Sequence, residues 1–94
     1  MEENTGQITG INGSVITAKF DKKIPKLLNK LVCGDVICEV VEELDNNQIQ
    51  AIALNSTIGL VCGKDIVDTG EPIKINIKNL QNIFKNIDNL SKNI

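Results

Sequence analysis

Apolar and polar residues alternate in short runs along most of the chain, and glycine, asparagine and aspartate break the runs at intervals. A period of two marks extended backbone, because successive side chains of a strand point to opposite faces. Between Gly6 and Phe20 the glycines at 6, 10 and 13 interrupt two extended pieces. In the second piece Ile16, Ala18 and Phe20 share a face, while Thr17 and Lys19 point away. Asn12-Gly13 separates the two pieces and suits a tight turn that needs positive φ. Lys22 to Lys30 is basic and contains Ile24-Pro25, and since proline offers no N–H to a ladder this stretch reads as a loop. Val36 to Leu44 sets Val36, Cys38 and Val40 on one side, with Ile37 and Val41 on the other beside Glu39 and Glu43. That strand is expected to turn at Asp45-Asn46-Asn47 into its partner, Gln48 to Leu54.

Past Asn55-Ser56-Thr57, glycines frame a short apolar patch from Ile58 to Asp65, which reads as a loop and bend. Ile66 to Pro72 reads as a further turn. Ile73, Ile75 and Ile77 then alternate with Lys74, Asn76 and Lys78, the cleanest period-two segment in the chain. About six short strands at this spacing predict an all-β domain, a small closed barrel in which closure removes exposed edges. The tail changes period: Leu80, Ile83, Phe84, Ile87 and Leu90 recur at helical spacing, and Asn79 is placed to cap the start. The expected organisation is a barrel over residues 1–78 and an amphipathic helical tail over 79–94. The tail's stripe either plugs its own barrel or serves as an interface with another chain.

Composition narrows the chemistry. At 94 residues the chain is one domain, and 41% hydrophobic residues with 23% charged ones suffice for a folded core. Phe20 and Phe84 are the only aromatic residues, so the core is expected to rest on the fifteen Ile with Val, Leu and Ala, a choice that favours strands. There is no His, which removes imidazole bases, His-paired nucleophiles and His metal ligands. Cys33, Cys38 and Cys62 match no zinc spacing, and their odd number does not form a closed disulfide set; they read as reduced thiols. Ten Lys, no Arg and twelve acidic residues give a net charge of −2, which offers no footprint for nucleic acid. No apolar run reaches the length of a signal peptide or a membrane span, so direct membrane insertion is not expected. The acidic run at Glu42, Glu43 and Asp45 reads as a solvated hairpin end, and Ser56-Thr57 has no base partner. No catalytic, cofactor-binding or metal-ligating residue is assigned. Gly6, Gly13, Gly59, Gly63 and Gly70 are expected at turns or bulges with positive φ, and Pro72 as a residue that stiffens a turn.

Three colinear blocks carry a resemblance. Gly6-Gln7-Ile8, Ile11-Asn12-Gly13-Ser14-Val15-Ile16 and Phe20 follow the order G-[KR]-I, I-x-G-x-V-[VI], F. Ala51 to Gly63, AIALNSTIGLVCG, is similar to T-I-A-M-[DS]-[SG]-T-E-G-L-V-R-G, and Val67 to Ile75, VDTGEPIKI, to V-x-D-T-G-x-P-I-x-V. Together they resemble the N-terminal β-barrel of the F-type ATP synthase beta-subunit family over about residues 5–84. The resemblance implies a six-stranded barrel of the kind that, in alternating alpha and beta subunits, forms the crown of the F1 head. It further implies a part in proton-coupled ATP synthesis on a cytoplasmic or organelle-matrix face, peripheral to an energy-transducing membrane.

In that family catalysis belongs to a following domain with a P-loop, a catalytic Glu and a Walker-B Asp. Here Gly59 and Gly63 followed by Lys64-Asp65 come nearest to a P-loop, and both the spacing and the absent Ser/Thr fail. On its own the chain is therefore expected not to be an enzyme and to need no cofactor. Ile58 replaces the family's Glu and Cys62 its Arg, and past Ile77 the family's Gly-Arg and Gly-Glu-Pro elements are missing, so no nucleotide domain is expected to follow. Two functions remain open. One is a non-catalytic assembly barrel that partners alpha-type subunits or a separately encoded catalytic beta piece. The other is a freed paralogue that self-associates through the Leu80, Ile83, Phe84, Ile87, Leu90 stripe as a binding or regulatory module.

Overall fold

A computed structural model describes residues 3–74. The expected strand at 73–77 lies mostly outside the described residues, and the 79–94 helix with its stripe lies wholly outside them. Six strands are present: β1 (Asn4–Asn12), β2 (Val15–Lys19), β3 (Asn29–Cys33), β4 (Val36–Glu43), β5 (Gln48–Ala53) and β6 (Asp65–Pro72). They close into a barrel in the order β1-β2-β5-β4-β3-β6, every neighbouring pair antiparallel. The all-β, six-stranded closed barrel is the expected fold.

The alternation read from the sequence fills the interior. Ile16, Ala18 and Phe20 of the β2 segment, Cys38 and Val40 of β4, and Ile49 and Ala51 of β5 are fully buried, joined by Ile8, Leu31 and Ile66. Phe20, the largest of these side chains, is packed on all sides. Two hairpin turns adopt the left-handed backbone their residues tolerate: Gly13 has φ 60°, and Asn46 and Asn47 both have φ 61°. Bulges between Ile8 and Gly10 of β1 and between Val40 and Glu42 of β4 bend those strands, as closing so small a barrel requires.

Two strands depart from expectation. Asn29–Cys33 forms β3, although the sequence reading carried a loop up to Lys30 and placed no strand after it. Asp65–Pro72 forms β6, although Asp-Thr-Gly-Glu-Pro read as a turn. In β6 only Ile66 is buried, so the strand lacks a core-facing row and is held by its ladders to β1 and β3. Pro72 is the last residue of that strand, opposite Asn29, and Gly70 lies within it at φ 80°. Gly6 also departs: it sits buried inside β1, where a Cβ would strike the carbonyl oxygen of Lys19 and come within 2.8 Å of Phe20 Cγ. Its requirement is close approach of two chains, not a turn.

Candidate functional site

The Val67-Asp68-Thr69-Gly70 string is where the side-chain hydrogen bonds of the barrel converge. Asp68 Oδ1 accepts from Asn29 Nδ2 at 3.0 Å and from the Gly70 amide at 2.9 Å, and Oδ2 accepts from Asn4 Nδ2 at 3.2 Å. Asn4 and Asn29 belong to β1 and β3, the two neighbours of β6, so one carboxylate ties three strands together at the seam. Asn29 is the buried polar residue of the described core, at 5% exposure, and Asp68 satisfies its amide. Thr69 Oγ1 donates toward the Lys30 carbonyl, 2.8 Å away, and lies 3.1 Å from that of Glu71. The Asx-type contact from Asp68 to the Gly70 amide and the positive φ of Gly70 explain why an acid, a hydroxyl and a glycine stand in this order. Beside the seam is an open cleft lined by Glu3, Asn4, Lys23 and residues 67–70, with a volume of about 550 Å³. Asn4 Oδ1 is the buried side-chain polar atom left without a partner among the described residues.

The Asn-Ser-Thr string following β5 is a second clasp. Asn55 Oδ1 accepts from the Ile37 amide at 2.9 Å, and its Nδ2 donates to the Asp35 carbonyl at 2.6 Å, which fixes the loop to the β3–β4 hairpin. Thr57 Oγ1 reaches the Gly13 carbonyl at 3.4 Å. Beyond it, Gly59 and Gly63 have φ 90° and 91° in the loop that leads into β6. Ile58, where the resembled family has Glu, is 94% exposed, and Cys62, where it has Arg, is also exposed. Leu60 between them packs against the core.

The outer wall carries two apolar faces. Ile37, Val32 and Val67 are directly paired across β4, β3 and β6, and all three are half-buried with their side chains outward. Val15 and Ile52 are paired across β2 and β5, likewise half-buried and outward. In the strand order β1-β2-β5-β4-β3-β6, β3 with Val32 and β6 with Val67 lie across the barrel from β2 with Val15 and β5 with Ile52, while Ile37 on β4 adjoins β5. Sequence reading concentrated on the inward residues and missed both; the signal available was a β-branched residue at each outward position where a polar one is usual.

Burial pushes the Cys38 thiol up to about 11, with the neighbouring Cys33 adding to the effect, so the interior thiol is held in its protonated form. Cys33, Cys38 and Cys62 are free. Among the described residues no three His, Cys, Asp or Glu side chains gather as metal ligands, and no helix is long and apolar enough to cross a membrane.

Seam, clasp and paired outer faces define a structural barrel, built to close tightly and to present side walls. Residues 8–70, about two thirds of the chain, match the ATP synthase alpha/beta family, beta-barrel domain, and the chain belongs to that family. The matched domain is the non-catalytic N-terminal barrel of ATP synthase subunits. The seam and clasp strings fall inside the matched region, which accounts for them as the residues that shut this barrel.

Proposed function

We propose that this chain acts as a structural barrel of beta type in the crown of an F1 head, where it helps hold alternating alpha-type and beta-type subunits in place. The reading rests first on the two unlike apolar faces. A ring member contacts one neighbour on each side through different surfaces, the heterologous arrangement that closes a cyclic assembly. Val32 with Val67 and Val15 with Ile52 supply two such surfaces on opposite walls, with Ile37 between them on β4. The beta assignment rests on the S-T-x-G-L-V and D-T-G-x-P-I strings. In this role the chain takes part in proton-coupled ATP synthesis by holding the head together, on the cytoplasmic or matrix face of an energy-transducing membrane, beside alpha-type subunits.

A second reading has one observation in its favour. Ile58 and Cys62 leave the loop before β6 without the charges the family carries there, with Ile58 almost wholly exposed. A freed paralogue acting as a self-associating binding module would present such a loop. Isolation of the tagged chain from its host without denaturant separates the two. The assembly role predicts recovery with alpha-type subunits and a P-loop polypeptide, lost on Val32→Glu while the barrel stays folded. Recovery of the chain alone, or equal recovery with Val32→Glu, would refute it.

A further inference from the structure

Asn12-Gly13 is the chain's one Asn-Gly pair, and it stands at the tip of the β1–β2 hairpin with Asn12, Gly13 and Ser14 all exposed. Asparagine is thermally labile because the next backbone amide can displace its side-chain ammonia, and a following glycine, lacking a Cβ, leaves that amide unshielded. The space around Gly13 is open: a Cβ placed there would meet nothing within 4 Å. Among the described residues neither the Gly13 amide nor the Asn12 side chain makes a hydrogen bond. Asn12 also borders an open groove of about 480 Å³ on the outer wall, which gives its side chain room to turn and lets water reach it. Its pairing with Val15 is the last step of the β1–β2 ladder, so fraying of one pair frees the Asn12 backbone.

The other described asparagines are placed differently. Asn55, followed by the small Ser56, is held at both ends of its amide, by the Ile37 amide at 2.9 Å and the Asp35 carbonyl at 2.6 Å. Asn4 and Asn29 both donate to Asp68. Asn46 and Asn47 are followed by Asn47 and Gln48, whose side chains crowd the amide that would attack.

We infer that Asn12 is a site of self-modification, at which the Gly13 amide cyclises onto the Asn12 side chain. The Gly13 nitrogen gives up its proton and bonds to Asn12 Cγ, the Cγ–Nδ2 bond breaks, and the side-chain nitrogen leaves with a proton as ammonia. Water then opens the resulting succinimide. Opening at Cγ leaves aspartate, and opening at the backbone carbonyl leaves isoaspartate, whose main chain carries one extra methylene. Either product adds one negative charge to a chain of net charge −2, at the edge of the Val15 wall. The extra methylene of isoaspartate has nowhere to go on the far side of the turn, where Ala53 holds the Ser14 carbonyl at 2.8 Å and Thr57 reaches that of Gly13. This chemistry is independent of the crown reading.

The folded full chain, kept in warm, mildly alkaline buffer beside a urea-unfolded sample, supplies the test by peptide mapping with electron-transfer fragmentation. In the folded sample residue 12 should lose its amide before Asn4, Asn29, Asn46, Asn47 or Asn55, giving isoaspartate as well as aspartate, while Asn55 lags far behind its own rate in urea. Asn12→Gln should remove the early acidic variant on anion exchange and leave the circular dichroism spectrum unchanged. The isoaspartyl form should unfold at a lower temperature than Asn12→Asp, which has the same charge without the methylene. An amide still intact at residue 12 after it has converted in urea, earlier conversion of another of these asparagines, or aspartate without isoaspartate would overturn the inference.

Discussion

Removing the Asp68 carboxylate is the sharpest perturbation of the seam. In Asp68→Ala the Asn29 side-chain amide, 95% withdrawn from solvent with its residue, loses the acceptor 3.0 Å away. Leaving a buried amide donor unsatisfied costs about 1–3 kcal/mol, and the lost hydrogen bond to a charged acceptor contributes on the same order. The other two donors suffer less, since Asn4 Nδ2 keeps the Lys23 carbonyl at 2.8 Å and the Gly70 amide is exposed to water. The expected loss is roughly 2–4 kcal/mol, a large part of the ~5–15 kcal/mol stability typical of a small domain. Asp68→Asn should lose less. Its amide oxygen can keep Asn29 and Gly70, and only the Asn4 contact becomes a meeting of two donors. With no Trp or Tyr in the chain, urea unfolding followed by far-ultraviolet circular dichroism is the suitable assay. At a slope near ~1 kcal/mol/M the midpoint should fall by about 2 M or more for the alanine and by less for the asparagine. A loss under ~0.5 kcal/mol for Asp68→Ala, the range of ordinary surface changes, would refute the role of the seam.

Two further outcomes follow from the interior. Gly6→Ala should destabilise by about 1–3 kcal/mol, since the new methyl meets the Lys19 carbonyl and the Phe20 ring inside a filled barrel; thermal unfolding at matched conditions checks it. Cys38 titrates higher in the fold, at about 11, than the ordinary thiol value of 9.0. The folded state therefore holds its proton longer than the unfolded chain, so the contribution is fully present below pH 9.0 and is lost as pH rises toward 11. The fall should be no steeper than about 1.4 kcal/mol per pH unit, and Cys38→Ala should flatten it. An unchanged profile in that variant would sink the argument.

The strands that were legible in the sequence are those whose inward row is apolar. Ile16, Ala18 and Phe20, Val36, Cys38 and Val40, and Ile49, Ala51 and Ala53 alternate cleanly, and each set is buried. β3 escaped notice because its inward row begins with Asn29, and two of its outward neighbours, Lys30 and Val32, blur the alternation. β6 escaped because one buried residue, Ile66, is too few for a period, and because the Asp, Thr and Gly that read as a turn act as a clasp within the strand. Gly6 read as punctuation, yet its reason lies in Phe20, fourteen positions on, a non-local contact that no local pattern reports. The family motifs pointed to the right positions in the seam and the loop before β6. What they could not show was that Asp68 gathers β1, β3 and β6, since the pairing of Asn4 and Asn29 with it exists only once the barrel has closed. The outer faces were hidden for a related reason: outward Val32, Val67, Ile37, Val15 and Ile52 lie on five strands and join only through the register.

The central claim is that this family barrel stands between two neighbours in a ring. Each outer face has its own lysine, Lys30 beside Val32 on β3 and Lys19 beyond Val15 on β2. Cross-linking mass spectrometry on the natively isolated assembly reads both at once. The account predicts links from Lys30 and from Lys19 to the barrels of alpha-type subunits, at two different sites on them. Links from both lysines only to further copies of this chain, or no links at all from either face, would contradict it.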